Sequence, residues 1–287
     1  MGRIRQALLD AGARVLTKPR GHYQRIQPNN LGKLRRLIRK GDVLLVDGDQ
    51  RISEVIKYLT QSSWSHAALY VGDELLRRHP AQRAALTARF GVDAEHLVVE
   101  ALMETGVVAS PLSKYELVNV RVCRPRAIAP EHLTRILDEV LAQIGVRYDV
   151  RTALDLARYF FPVSLIPRRW RRTALDFGSL LTREVICSSM IARAFDNVGF
   201  PVMPTVVSPG GNGHAPRSRL AFLRRADAIE PPVFRHQSPH VITPRDFDLS
   251  PYFEIVKFNA VDVDEAHFDY RQIRWENDAP IQRKGVS

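Results

Sequence analysis

Up to about residue 126 the apolar positions fall into short blocks closed by turn formers, the pattern of strands. "GDVLLVDGD" (41–49) is a turn, four apolar residues and another turn. "SHAALYVG" (65–72), "HLVVEALM" (96–103), "TGVVASPL" (105–112) and "VNVRVCRPR" (118–126) repeat the form. Residues 51–61 interrupt it with helical spacing, Ile52, Val55, Ile56 and Leu59 falling on one side, and 74–95 read as a helical excursion. Short strands with brief connections predict an antiparallel, curled sheet.

From Pro130 the period changes. Leu133, Ile136, Leu137, Val140, Leu141 and Ile144 line one face of "EHLTRILDEVLAQIG" (131–145), which Gly145 ends. A second helix is expected from about Cys187 to Asn197, stopped by Gly199 and Pro201. Between the two helices, residues 150–182 are rich in Arg and aromatics, and "SPGGNGHAPRS" (208–218) reads as a mobile loop. Helices follow a run of strands, so the fold class is α+β.

Composition bounds the picture. With 287 residues, 45% of them hydrophobic, the chain can bury a sizeable core in one large domain or a domain with appendages. Cys123 and Cys187 are the two cysteines, too few for a disulfide framework or a zinc cluster, and their scarcity suits a reducing compartment. The net charge of +11 is concentrated: residues 1–40 hold eleven Lys or Arg against one acid, leaving 31 basic and 30 acidic residues elsewhere. Such a segment suits an anionic membrane surface or simply a solvated face. Nucleic acid is disfavoured, because neither aromatic interleaving nor a recognised motif accompanies the charge.

No run approaches the roughly 18 apolar residues of a membrane span. Asp10 and Arg14 break any signal-peptide core after Arg3 and Arg5. Ile4, Leu8, Ala11 and Val15 recur at helical spacing, which fits an interfacial helix or one docked on the body. A cytoplasmic protein, peripheral at the inner membrane face at most, is the expectation. Three divisions follow: a basic segment 1–40, a domain 41–258 with an insertion at about 150–182, and a tail 259–287.

Three residues carry candidate chemistry. Cys187 stands at a helix start, where unpaired backbone N–H groups favour a thiolate. His66, on a strand, can serve as its proton partner, and Glu100, on another strand, can orient the imidazole. Each also has a plain reading. Cys187 can be a small buried hydrophobe, His66 a hydrogen-bonded core residue, and Glu100 solvent-facing if Val99 points inward. Spacing alone does not choose.

A resemblance does. "GDVLLV", "SSWSHAALYVG", "VVEA", "GVRYD" and "ICSSMIARAF" occur in the order and style of the YaeF/YiiX-like cysteine hydrolases. This family is the circularly permuted branch of the NlpC-type papain-like superfamily, with the His strand first and the Cys helix last. The resemblance spans about residues 40–200, and "ITPRDFDLSPYFEIVKF" (242–258) is similar to the family's closing strand. It implies a permuted papain-like fold in which an antiparallel sheet packs against helices, the nucleophile helix among them. Carried over, Cys187 matches the nucleophile, His66 the general base and Glu100 the third polar residue. Tyr148 of "GVRYD" matches a tyrosine near the oxyanion site. The implied reaction is acyl transfer through a thioester, needing no metal or organic cofactor, with an amide or peptide substrate favoured.

Two alternatives stay open. Permuted branches of the superfamily include acyltransferases acting on lipids, and residues 147–172 hold seven arginines among Tyr159, Phe160, Phe161, Leu165, Ile166 and Trp170. That mixture suits a membrane-interfacial lid, or a structural hairpin with its arginines in solvent. A binding module that keeps the fold without catalysis is the other, with residues 1–40 docking it to a membrane or partner.

Overall fold

The computed structural model describes residues 28–102, 105–147, 186–207, 233–235 and 237–258. Tyr148, the insertion at about 150–182, the loop 208–218, the tail from 259 and the first 27 residues lie outside the described residues.

In chain order the described helices are α1 (Leu31–Leu37), α2 (Arg51–Thr60), α3 (Glu74–Arg78), α4 (Arg83–Phe90), α5 (Pro130–Ala142), α6 (Ile186–Asp196) and α7 (Pro244–Leu249). The strands are β1 (Val43–Asp47), β2 (His66–Gly72), β3 (Leu97–Leu102), β4 (Gly106–Pro111), β5 (Asn119–Pro125), β6 (Thr205–Val207), β7 (Val233–Arg235) and β8 (Phe253–Val256). The excursion 74–95 is broken rather than continuous. Pro80 opens a short 3-10 turn and Gly91, at φ +59°, ends α4, so neither helix extends through the segment.

Six strands form an open antiparallel sheet in the order β4-β3-β2-β1-β5-β8, and β6 pairs with β7 separately. Both faces of the large sheet are covered. On one face Val43, Leu45, Ala67, Leu69, Val99 and Cys123 pack against Ile136, Leu137 and Val140 of α5 and Met190, Ile191 and Phe195 of α6. On the other, Leu44, Val46, Ala68, Tyr70 and Val98 pack against Leu34 and Ile38 beside α1 and against Leu112 and Tyr115. Strands buried on both sides read as continuous apolar runs, which is why "VLLV" and "LVV" show no alternation.

The far end of α6 is fastened by an aromatic cluster. The Phe195 ring lies 5.4 Å from Phe200 and 5.3 Å from Phe253, and Phe253 lies 5.4 Å from Phe247 of α7. These contacts, with Ser188 Oγ donating to Ile242 O at 2.8 Å inside the core, fix the helix along and about its axis. Its first turn is thereby held against the sheet.

Candidate active site

His66 is the first residue of β2, and the residues before it are tightly held. Trp64 donates from Nε1 to Asp248 at 3.0 Å beneath the Arg121 guanidinium, which lies 5.0 Å from the indole ring. Ser65 donates its backbone N–H to Val46 O at 3.0 Å and accepts from the Gly48 N–H at 3.0 Å. A Cβ on Gly48 would meet Ser53 Oγ at 2.3 Å and Ser65 Oγ at 2.8 Å, so a side chain there would displace the lead-in to His66.

The ladder then places Glu100. Ala68 pairs with Glu100 across β2 and β3, which puts His66 and Glu100 diagonally on one face, within reach of long side chains. His66 Nε2 and Glu100 Oε2 lie 2.8 Å apart. Glu100 has zero exposure, so the solvent-facing reading is excluded. A buried carboxylate needs partners, and it has them: Tyr115 Oη donates to Oε2 at 2.8 Å and Lys114 Nζ donates to Oε1 at 2.5 Å.

Cys187, the second residue of α6, approaches from the other face of the sheet. Its sulfur shares a hydrogen bond with His66 and receives backbone N–H groups from Ala67 and Ser188. With Nε2 engaged by Glu100, Nδ1 is the imidazole nitrogen left for the thiol. The structure thus joins Cys187, His66 and Glu100 in one unbroken chain of contacts.

The electrostatics agree in sign. Burial opposes charge on Cys187, but the His66 imidazolium and the two N–H donors outweigh it and lower the thiol. Burial likewise opposes charge on His66, yet the Cys187 thiolate and the Glu100 carboxylate push it up to about 10. Glu100 is held well below the usual carboxylate range, since hydrogen bonding and charge from His66 and Lys114 overcome its desolvation. A thiolate–imidazolium pair is the state these terms favour. Cys123 is the internal contrast: burial, reinforced by the Asp248 carboxylate and only weakly opposed by Arg121, pushes its thiol up to about 12.

Sequence reading missed Lys114 and Tyr115. They sit in the 3-10 turn Leu112–Tyr115, and only the β3–β4 register brings that turn over Glu100. The described chain also runs to Arg147 beside this end of the sheet. Gly106 pairs with Leu102, and Val146 O accepts from the Val107 N–H at 2.9 Å. Gly106 is at φ +79°, and a Cβ there would stand 2.2 Å from Val146 O, so only glycine fits. Tyr148 itself lies just beyond the described residues.

A cavity of about 160 Å³ lies elsewhere, at the C-terminal end of α6, lined by Ala192, Asp196, Phe200, Met203 and Tyr252 among others. Neither Cys187 nor His66 lines it. Among the described residues no group of three or more His, Cys, Asp or Glu is placed to hold a metal ion, and no helix is long and apolar enough to cross a membrane.

Residues 37–161 match the model of a family described as permuted papain-like amidase enzyme, YaeF/YiiX, C92 family. Over these 125 of its 287 residues the chain is similar to the YaeF/YiiX family. The matched YaeF/YiiX stretch contains His66 and Glu100, while Cys187 lies beyond it. The search of solved structures finds the metalloprotein yiiX from Escherichia coli O157:H7, at 14% identity and TM-score 0.40, covering 77% of this chain and 97% of that one. The search of curated proteins gives no match. The mixture of helices and open antiparallel sheet is consistent with the YaeF/YiiX-type permuted papain-like fold, and the description of that family implies papain-like amidase or cysteine-hydrolase activity.

Proposed function

We propose that the protein hydrolyses an acyl substrate, an amide in preference to other acyl compounds, through Cys187, His66 and Glu100. The observation that carries this reading is the continuous contact from the Cys187 sulfur through the His66 imidazole to the buried Glu100 carboxylate. The Cys187 thiolate attacks the acyl carbon, forming the C–S bond as the carbonyl π electrons move to oxygen. The Cys187 backbone N–H stabilises that oxyanion, and a donor of this kind contributes about 3–4 kcal/mol to the barrier. His66 then donates its Nδ1 proton to the departing amine as the C–N bond breaks, leaving a thioester. Water, deprotonated by His66, adds to the thioester and releases the acid with Cys187 again as thiolate. Glu100 keeps the imidazole oriented throughout and stabilises its charged form before acylation and after water is deprotonated.

The preference for amides rests on the family's description as amidases. Incubation of the wild-type protein with parallel sets of peptidyl and fatty acyl substrates, stopped by acid and followed by mass spectrometry of the peptide bearing Cys187, tests it. A peptidyl adduct is expected. A fatty acyl adduct alone would assign the site to lipid acyl chemistry instead, and the absence of any adduct would remove the hydrolase reading.

A further inference from the structure

The chain of charges does not stop at the carboxylate. Beyond Glu100 Oε1 lies Lys114 Nζ, at 2.5 Å, on a side chain 40% exposed and so in contact with solvent. Its Nζ lies over the Tyr115 ring, 5.4 Å from the centroid, while the Tyr115 hydroxyl holds the other carboxylate oxygen. The two residues are neighbours on one short 3-10 turn and grip one buried carboxylate at both oxygens.

We propose that Lys114 is a positioning and tuning residue for the Cys187–His66 pair, completing an alternating row of four charges: thiolate, imidazolium, carboxylate and ammonium. This deepens the hydrolase reading and rests on it. Without Lys114 the three inner groups sum to one negative charge in a water-poor site. With it the row is neutral, and the outermost charge is the one water reaches. Lys114 also occupies Oε1, so that Oε2, shared with Tyr115, is the oxygen directed at His66. Among the described residues, the titratable groups facing Glu100 are His66 from β2 and Lys114 and Tyr115 from the turn; Cys187 reaches it only through His66. Lys114 touches neither the sulfur nor the substrate carbon, and it acts by setting the field in which both ionise.

The sign of the effect is fixed by charge. Removing a cation makes the site more negative, so the thiol is harder to deprotonate and the acid limb of Cys187 reactivity moves to higher pH. The test is the pH dependence of Cys187 alkylation by iodoacetamide, read by mass spectrometry on the full chain. Lys114→Met should lower the rate on the acid limb about three- to tenfold, a range reduced for solvent screening of a half-exposed charge. Lys114→Arg, which keeps the cation, should return the limb to the wild-type position. Tyr115→Phe, which removes a hydrogen bond but no charge, should move it less than Lys114→Met does. Lys114→Gln provides a second neutral variant should the methionine protein fold poorly. A wild-type acid limb in both neutral variants overturns the proposal, as does failure of arginine to restore it. The hydrolase reading fails separately, if wild-type Cys187 itself shows no reactivity at a pH below the ordinary thiol range.

Discussion

Glu100→Gln preserves the shape of the side chain and removes its charge, so its consequences can be followed atom by atom. In the native site both carboxylate oxygens accept: Oε2 from His66 Nε2–H and Tyr115 O–H, Oε1 from Lys114 Nζ. Glutamine supplies one oxygen and one NH2. If the oxygen faces His66 and Tyr115, the NH2 opposes the Lys114 ammonium; if the amide flips, it opposes two donors instead. One donor–donor conflict is unavoidable at a position with zero exposure. Loss of a buried charge partner with such a conflict costs about 2–4 kcal/mol of stability. The chemistry shifts as well. A hydrogen bond to a charged group is worth about 1.5–3 kcal/mol, which lowers the imidazolium population roughly 10- to 100-fold. The alkaline limb of Cys187 alkylation by iodoacetate, an anion that the His66 imidazolium attracts, is set by His66 near pH 10 and should therefore move down by about one to two pH units. The assay is alkylation across pH at a temperature where urea titration shows the variant folded, with Cys123 as the slow internal reference. An alkaline limb that stays near its wild-type position in a folded variant would refute the reasoning.

Other perturbations have equally definite outcomes. The paired shifts at the site predict a stability profile with a plateau. His66 is raised on folding, so its contribution is complete below about pH 6.5 and is lost as pH rises through about 10. Cys187 is lowered, so its contribution is present above about pH 8.5 and is lost as pH falls through the folded thiol's value. Between about 6.5 and 8.5 the slopes cancel, because folded and unfolded pairs each carry one proton; urea denaturation at a series of pH values should show a plateau there from this pair, which His66→Ala abolishes. Phe195→Ala empties the centre of the aromatic cluster and should cost about 3–5 kcal/mol in denaturant titration. Gly106→Ala places a Cβ against Val146 O in a left-handed conformation and should lower stability by about 1–3 kcal/mol, measured the same way.

The strands of the large sheet up to residue 126 and the two packing helices were legible because each buried element writes its period into the chain. "EHLTRILDEVLAQIG" carries one apolar stripe, and α5 buries Ile136, Leu137 and Val140 from it. Glu100 shows where such reading stops. Alternation from Val99 pointed the carboxylate to solvent, but β3 is covered on both faces, so the position opposite the helices is also interior. Lys114 and Tyr115 were invisible for a related reason: their contact with Glu100 depends on β3–β4 register and a 3-10 turn, neither of which one side chain encodes. The break in 74–95 was signalled by Pro80 and Gly91 but outweighed by the helix formers around them. His66 and Cys187, 121 positions apart in the sequence, were paired only by the family's motif order. Physics explains the contact once formed, but chain separation hides it beforehand.

The most direct test of the Cys187–His66 partnership is the rate of thiol alkylation at both cysteines near neutral pH, in wild type and in His66→Ala. Labelling of Cys187 should greatly exceed that of Cys123 in wild type and fall sharply when His66 is removed. Equal labelling of the two cysteines, or a Cys187 rate indifferent to His66→Ala, would contradict the pairing on which the catalytic reading stands.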